Sequence, residues 1–174
     1  MISPITREEI LDGFGVFYHC CMFGINKAAF RCDMWREIFD EVGGIGFLAR
    51  EKGEIVGQMI FLPKRYARRI CLATSSRNRA VDTTIVIGCL YVIREYANRG
   101  IASTMIARLL EFCRGRGFTG IEACVDPRPA DESGLNTSFY PFRKFGFVLG
   151  DDTGEVQEFS PEARMCWCDL SHVR

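Results

Sequence analysis

The chain has 174 residues, 48% of them apolar and 25% charged, with 22 Lys+Arg against 22 Asp+Glu. That balance describes an ordinary globular chain large enough to bury a core, and it excludes a disordered, collagen-like or generally polyanion-coating protein. No apolar run approaches the roughly 20 residues that span a bilayer.

Thr6 and Glu9 form a T-x-x-E capping box, and Ile10, Phe14, Phe17 and Cys21 recur at helical spacing, which predicts a helix from Arg7 to about Phe23. A second helix is expected over 33–42, with Trp35, Ile38, Phe39 and Val42 on one face and Gly43-Gly44 as its stop. Both precede any strong strand signal. Two β-rich runs, near 45–50 and 55–62, are joined by Glu51-Lys52-Gly53-Glu54, whose glycine suits a tight hairpin. Pro63 ends the second, and the polar, basic stretch 64–78 reads as partly looped.

The run TTIVIGCLYVI, 83–93, is β-branched and almost uniformly apolar, as a strand covered on both faces should be. Ile101, Met105, Leu109 and Phe112 then repeat at the helical period, Gly115 and Gly117 end the run, and GIEACV makes a short buried strand. Strand, loop, amphipathic helix, strand is a βαβ unit with parallel strands. A short helix over 141–145, a Gly146 terminator and strands near 147–149 and 164–170 close the chain. No repeat or linker interrupts it, so 1–174 is read as one domain.

The start MISPITREEI has neither a basic leader nor a following apolar stretch, which points to a cytoplasmic protein. Nine cysteines in an odd, irregular pattern without C-x-x-C argue against a disulfide framework or a thiolate metal centre. They are read as buried apolar groups, with Cys166 and Cys168 on one strand face; a cysteine-based redox or metal protein is the rival reading.

Chemistry is expected where the buried strand runs out. The opening amides of a helix lack intrahelical partners and lie at its positive dipole end, so a helix start near Gly100 is an anion site. Gly100 admits a phosphate close to the backbone, Ala102 and Ser103 keep the first turn narrow, and Arg99 adds a cation. A diphosphate-bearing ligand at the carboxyl end of a central strand is the chemical expectation, against a plain βα connection.

Ala97-Asn98-Arg99-Gly100-Ile101-Ala102 resembles the Gln/Arg-x-x-Gly-x-Gly/Ala loop of the GNAT superfamily of N-acetyltransferases in every position but the first. Two early helices, a hairpin, the L-x-V strand end at Leu90 and Val92, and F-R-K-F-G-F near the C-terminus extend the likeness over nearly the whole chain. The resemblance implies an α/β acyl-CoA N-acyltransferase fold: a mixed sheet of six to seven strands with about four flanking helices and a splayed parallel pair in the middle. It implies acetyl-CoA as cosubstrate without a metal, bound by the backbone of Leu90, Tyr91 and Val92, by Asn98, Arg99, Gly100, Ile101, Ala102 and Ser103, and by Asn136 and Phe142. Ala97 forgoes one polar contact to the diphosphate, worth roughly 1 to 3 kcal/mol unless Arg99 replaces it.

The reaction so implied is attack of a primary amine on the thioester, with a strand amide near Leu90 holding the oxyanion. Relatives carry a tyrosine four residues before the last glycine as an acid; here Phe142 occupies that place and Tyr140 lies two residues earlier, leaving Tyr140 as the candidate acid or an ordinary turn phenol. Asp82 and Glu122 are the candidate bases, each with a plain strand-face or solvated role as its alternative. The cations Lys64, Arg65, Arg68, Arg69, Arg77 and Arg79 either form a solvated loop or rim an acceptor cleft that favours an acidic amine. Phe17, Tyr18, Phe30 and Trp35 are core, or wall an apolar acceptor pocket. The partners expected are acetyl-CoA and a small-molecule or peptide amine, with no nucleic acid or membrane, in a monomer or homodimer. A non-catalytic acyl-CoA-binding or sensing module of the same fold is the other reading.

Overall fold

The computed structural model describes residues 1–11, 32–67, 69, 72, 74–75, 80–128, 138–150 and 162–171. The predicted first helix beyond Leu11, with Phe14, Phe17 and Tyr18, lies outside the described residues, as do Phe30, Asn136, Arg68, Arg77 and Arg79. Strands β1 (Ile2–Pro4), β2 (Gly46–Glu51), β3 (Glu54–Pro63), β4 (Thr84–Val92), β5 (Gly120–Val125), β6 (Val148–Leu149) and β7 (Arg164–Asp169) form one sheet in the order β1-β2-β3-β4-β5-β7-β6. The described helices are α1 (Arg7–Leu11), α2 (Cys32–Val42), α3 (Lys64–Ala67), α4 (Ile101–Arg114) and α5 (Tyr140–Arg143).

The local signals act as read. Thr6 N–H donates to Glu9 Oε2 at 2.7 Å and Glu9 N–H to Thr6 Oγ1 at 3.3 Å, so the capping box is closed in both directions. The β2–β3 turn has positive φ at both Lys52 (52°) and Gly53 (89°), the type I′ geometry whose twist matches paired antiparallel strands. Three details are added or corrected. A strand, β1, precedes the helices; it is three residues long and ends on Pro4, which an edge position tolerates and a periodicity reading misses. The stretch after Pro63, read as partly looped, opens with the single turn of α3, in which Lys64 and Tyr66 are buried. And α5 begins at Tyr140 instead of after it, because a proline in the first turn forfeits no ladder bond.

The sheet carries one apolar layer on each face. Met105, Ile106, Leu109 and Cys113 of α4 pack on Phe61, Ile85 and Ile87. On the opposite face Ile10, Trp35 and Ile38 of α1 and α2 pack on Leu48, Ile60 and Leu62. Trp35 is therefore core, and truncating a side chain of that size costs about 3 to 5 kcal/mol. Alternate residues of β3, Ile60 and Leu62 against Met59 and Phe61, supply the two layers, which is why a nearly all-apolar strand is required at the centre.

Candidate active site

The parallel ladder between β4 and β5 runs from Thr84–Gly120 to Ile87–Ala123 and stops there. The cause is in β4. Cys89 faces Ile60 and Ile87 faces Phe61, which leaves Gly88 as an extra residue, a bulge that bends and twists the strand. A Cβ at this place would stand 3.0 Å from Leu72 Cδ1, so a larger residue would make that side chain give way. Beyond the bulge β4 stays with β3 as far as Val92–Gly57, while β5 stays with β7 as far as Val125–Arg164. The two parallel strands thus part company at their carboxyl ends. Ile93 N–H donates to Val56 O at 2.9 Å, so by the alternation of an antiparallel pair the amides of Leu90 and Val92 are directed to the β5 side. Tyr91 leans on the α2-side layer instead.

At the same end of the sheet the chain makes a 3₁₀ turn over Arg94–Tyr96, passes Asn98 at φ 60°, and enters α4 through Gly100 at φ 80°. No side chain caps that helix. Its ladder starts with Thr104 N–H donating to Gly100 O at 2.9 Å, so the amides of Ile101, Ala102 and Ser103 precede the first intrahelical bond. An added Cβ on Gly100 would meet nothing within 4 Å, which means the cradle opens on free space. A negative group fits it: backbone donors, a 14-residue helix dipole and no competing carboxylate cap. Arg99 stacks over Tyr96 at 4.9 Å and comes within 4.0 Å of Glu51, which keeps its cation at the loop rather than inside it.

The predicted side chains separate. Glu122 is fully buried, with Lys64 Nζ at 2.7 Å from its Oε1 and Ser75 N–H at 3.0 Å from its Oε2. It is paired with Val86, on the amino side of the bulge, so both its oxygens have partners and its place is away from the parting. Asp82 lies before Thr84, at the far end of β4, roughly 25 Å of extended chain from Leu90, and its side chain is 77% exposed beside Arg65. The structure brings neither carboxylate to the parting. Phe142 is fully buried and edge-on to Phe147 at 5.0 Å, a core ring rather than a surface contact. Tyr140 does stand at the right end: Phe139 N–H donates to Asp126 O at 2.9 Å, which ties the start of α5 to the carboxyl end of β5, and the phenol is exposed.

The basic segment is accounted for differently. Lys64 is buried on Glu122, Arg65 pairs with Glu41, and Arg69 lies 3.7 Å from Glu37. The two guanidiniums flank the Tyr66 ring at 5.3 and 5.5 Å. Pro63 opposite Ile85 puts this cluster at the amino end of β4, away from the parting. Sequence reasoning missed another pair. Asp126, wholly buried just after β5, accepts from Arg128 through Nε (3.0 Å to Oδ1), Nη2 (2.6 Å to Oδ2) and the backbone amide (2.9 Å). The signal was Asp-Pro-Arg at a strand end, where an aspartate commonly closes a turn on the residue two further on. Among the described residues no group of three or more His, Cys, Asp or Glu side chains could hold a metal ion.

A mixed sheet whose central parallel pair parts beside an uncapped helix start defines an acyl-CoA N-acyltransferase fold. The chain belongs to the acetyltransferase (GNAT) family, whose model matches residues 12–147. Among solved structures it is similar to yncA of Salmonella typhimurium, solved with its cofactor acetyl-CoA, at TM-score 0.65 and 14% identity over 98% of this chain and 93% of that one. The ribosomal-protein-alanine N-acetyltransferase of Brucella melitensis superposes with TM-score 0.62 and 16% identity over 97% and 99% of the two chains. At such identities the likeness is one of fold. No curated protein matches the sequence significantly.

Proposed function

We propose that the protein is an N-acetyltransferase that moves the acetyl group of acetyl-CoA to a primary amine by direct attack. The observation that carries this reading is the parting of β4 from β5 beside the Gly100 helix start. The diphosphate would lie on the amides from Asn98 to Ser103, and the pantetheine arm would run between the strands along Leu90, Tyr91 and Val92, as an added strand does. The amide at Leu90 would stabilise the oxyanion, a service worth roughly a hundredfold in rate. Tyr140, at the carboxyl end of β5, would protonate the departing thiolate. With Asp82 and Glu122 placed elsewhere, the amine proton would leave through water.

A chain whose first and last described strands share one sheet supports a single domain. Cys89, Cys113, Cys124, Cys166 and Cys168 are free thiols, which favours a reducing compartment and a cytoplasmic location. No described helix is long and apolar enough to cross a membrane.

The commitment of Glu122 to Lys64 favours a second reading, in which the fold retains acyl-CoA without turning it over. Mass spectrometry of an amine panel incubated with acetyl-CoA separates the two: an enzyme yields acetylated amine and free CoA in equal amounts, and a binding module yields neither.

A further inference from the structure

We propose that Leu72 sets the size of the acyl group the protein takes, admitting acetyl and propionyl and stopping chains from butyryl upward. This rests on the placing of acyl-CoA in the parting made above and adds the class of acyl donor to it. The parallel ladder closes at Ile87–Ala123. Thr84 to Ile87 and Gly120 to Ala123 are all buried, and the first partly exposed residue on each strand is the next one, Gly88 on β4 and Cys124 on β5. The inner end of the parting is therefore open at these two positions. Ile121, Ala123 and Val125 pack toward α4, so by the alternation of the strand Glu122 and Cys124 turn to the other face, where Gly88 meets Leu72 and Leu62.

On that face Leu72 bounds the opening. Its Cδ1 and Cδ2 stand 3.0 and 3.6 Å from where a Cβ of residue 88 would be, ahead of Leu62 Cδ2 at 3.8 Å, so the absence of a side chain at Gly88 lets Leu72 reach down to the strand. It is held there from both sides. Leu72 N–H donates to Ala67 O at 3.0 Å, and three residues further on Ser75 N–H donates to Glu122 Oε2 at 3.0 Å while Lys64 Nζ donates to Ser75 O at 2.7 Å. The chain from Leu72 to Ser75 thus straps β4 to β5 at the last paired couple. With the pantetheine arm along Leu90 to Val92 and the thioester oxygen on the Leu90 amide, acyl carbons beyond the carbonyl run the other way, toward Gly88, over at most about 7 Å of strand. A short chain ends in the opening and a longer one meets an anchored Leu72. Overfilling a packed apolar site forces side chains aside, and one methylene of misfit is worth roughly tenfold or more in selectivity. Leu72 is then a specificity-determining residue, and Lys64, Ser75 and Glu122 hold the strap that carries it.

The test is calorimetric titration of acetyl-, propionyl-, butyryl- and hexanoyl-CoA into the full-length protein, which needs no knowledge of the acceptor. The wild type is expected to bind acetyl-CoA and propionyl-CoA within threefold of each other, and butyryl-CoA and hexanoyl-CoA at least tenfold more weakly. Leu72→Ala should bring butyryl-CoA within threefold of acetyl-CoA while the acetyl-CoA dissociation constant stays within threefold of wild type. Leu72→Val, a milder truncation that keeps the fold should alanine fail to, is measured beside it and should narrow the butyryl-to-acetyl gap at least threefold. A wild type that binds butyryl-CoA as tightly as acetyl-CoA, a gap that the folded variants leave unchanged, or a loss of affinity shared equally by all four thioesters would overturn the assignment. The transferase reading fails on a different result, acyl-CoA bound with no amine acylated, which leaves the selectivity of Leu72 standing. No heat from any thioester in the wild type would overturn both.

Discussion

Lys64 and Glu122 meet inside the protein, Nζ to Oε1 at 2.7 Å, with side chains only 5% and 0% exposed. Lys64 also donates to Ser75 O at 2.7 Å, so the pair fastens the segment after β3 to the underside of β5. Removing one member of a buried pair strands the other charge and costs about 3 to 5 kcal/mol. Glu122→Gln should therefore lower Tm by roughly 6 to 20 °C, given about 2 to 4 °C per kcal/mol for a chain of this size, while the kcat of the folded fraction stays close to wild type. A kcat loss of a hundredfold at unchanged Tm would make Glu122 the base after all.

Burial pushes the Cys113 thiol up to about 12, and also raises Cys166 and Cys168. These thiols stay protonated at pH 8, so native alkylation with iodoacetamide should leave all three unmodified, and denaturant should expose them to it; the readout is peptide mass. In the unfolded chain Cys113 ionises near its ordinary value of 9.0, so above that pH the unfolded state binds fewer protons and folding stability falls as pH rises toward about 12. A denaturation midpoint that holds steady from pH 8.5 to 10.5 would contradict this.

With Asp82 and Glu122 away from the parting and Asp126 held against Arg128, the acceptor is expected to arrive unprotonated or to lose its proton to water. For an alkylamine acceptor kcat/KM should climb tenfold per pH unit toward the amine's own pKa of about 10, without an earlier plateau. A plateau near neutral pH that is absent from the amine's own titration would reveal an enzymic base.

Tyr140 is 79% exposed and opens α5 beside Asp126. Tyr140→Phe keeps the ring and removes the proton, so turnover should fall at least tenfold with Tm unmoved, as pre-steady-state and steady-state rates can check. Wild-type turnover in that variant would return Tyr140 to the role of a turn phenol.

The central strand, the hairpin, the βα loop and the anion cradle at Gly100 were legible because each rests on a local rule: a continuous β-branched apolar run, a glycine at the turn, helix-opening amides without intrahelical partners. Gly88 was not. A bulge depends on which residue faces which across β3 and β4, and nothing in TTIVIGCLYVI marks one glycine as the place where the ladder slips. Glu122 and Asp82 were chosen for their nearness to strands; only the register places one on the amino side of the bulge and the other at the far end of β4. Arg128 escaped notice for the converse reason, since Asp-Pro-Arg reads as a turn until Asp126 is found with no exposed surface. β1 escaped because three residues are too few for a period.

Calorimetric titration of acetyl-CoA into the wild type and into Gly100→Glu is the most direct measurement. Gly100 sits at φ 80° with open space where a side chain would go, so glutamate there costs about 1 to 2 kcal/mol of backbone strain and sets a negative group on the amides of Ile101 to Ser103. The wild type should bind with a dissociation constant below a millimolar, and the variant, still folded by circular dichroism, should show no uptake. Equal heats in both proteins would contradict the assignment of the diphosphate to the start of α4.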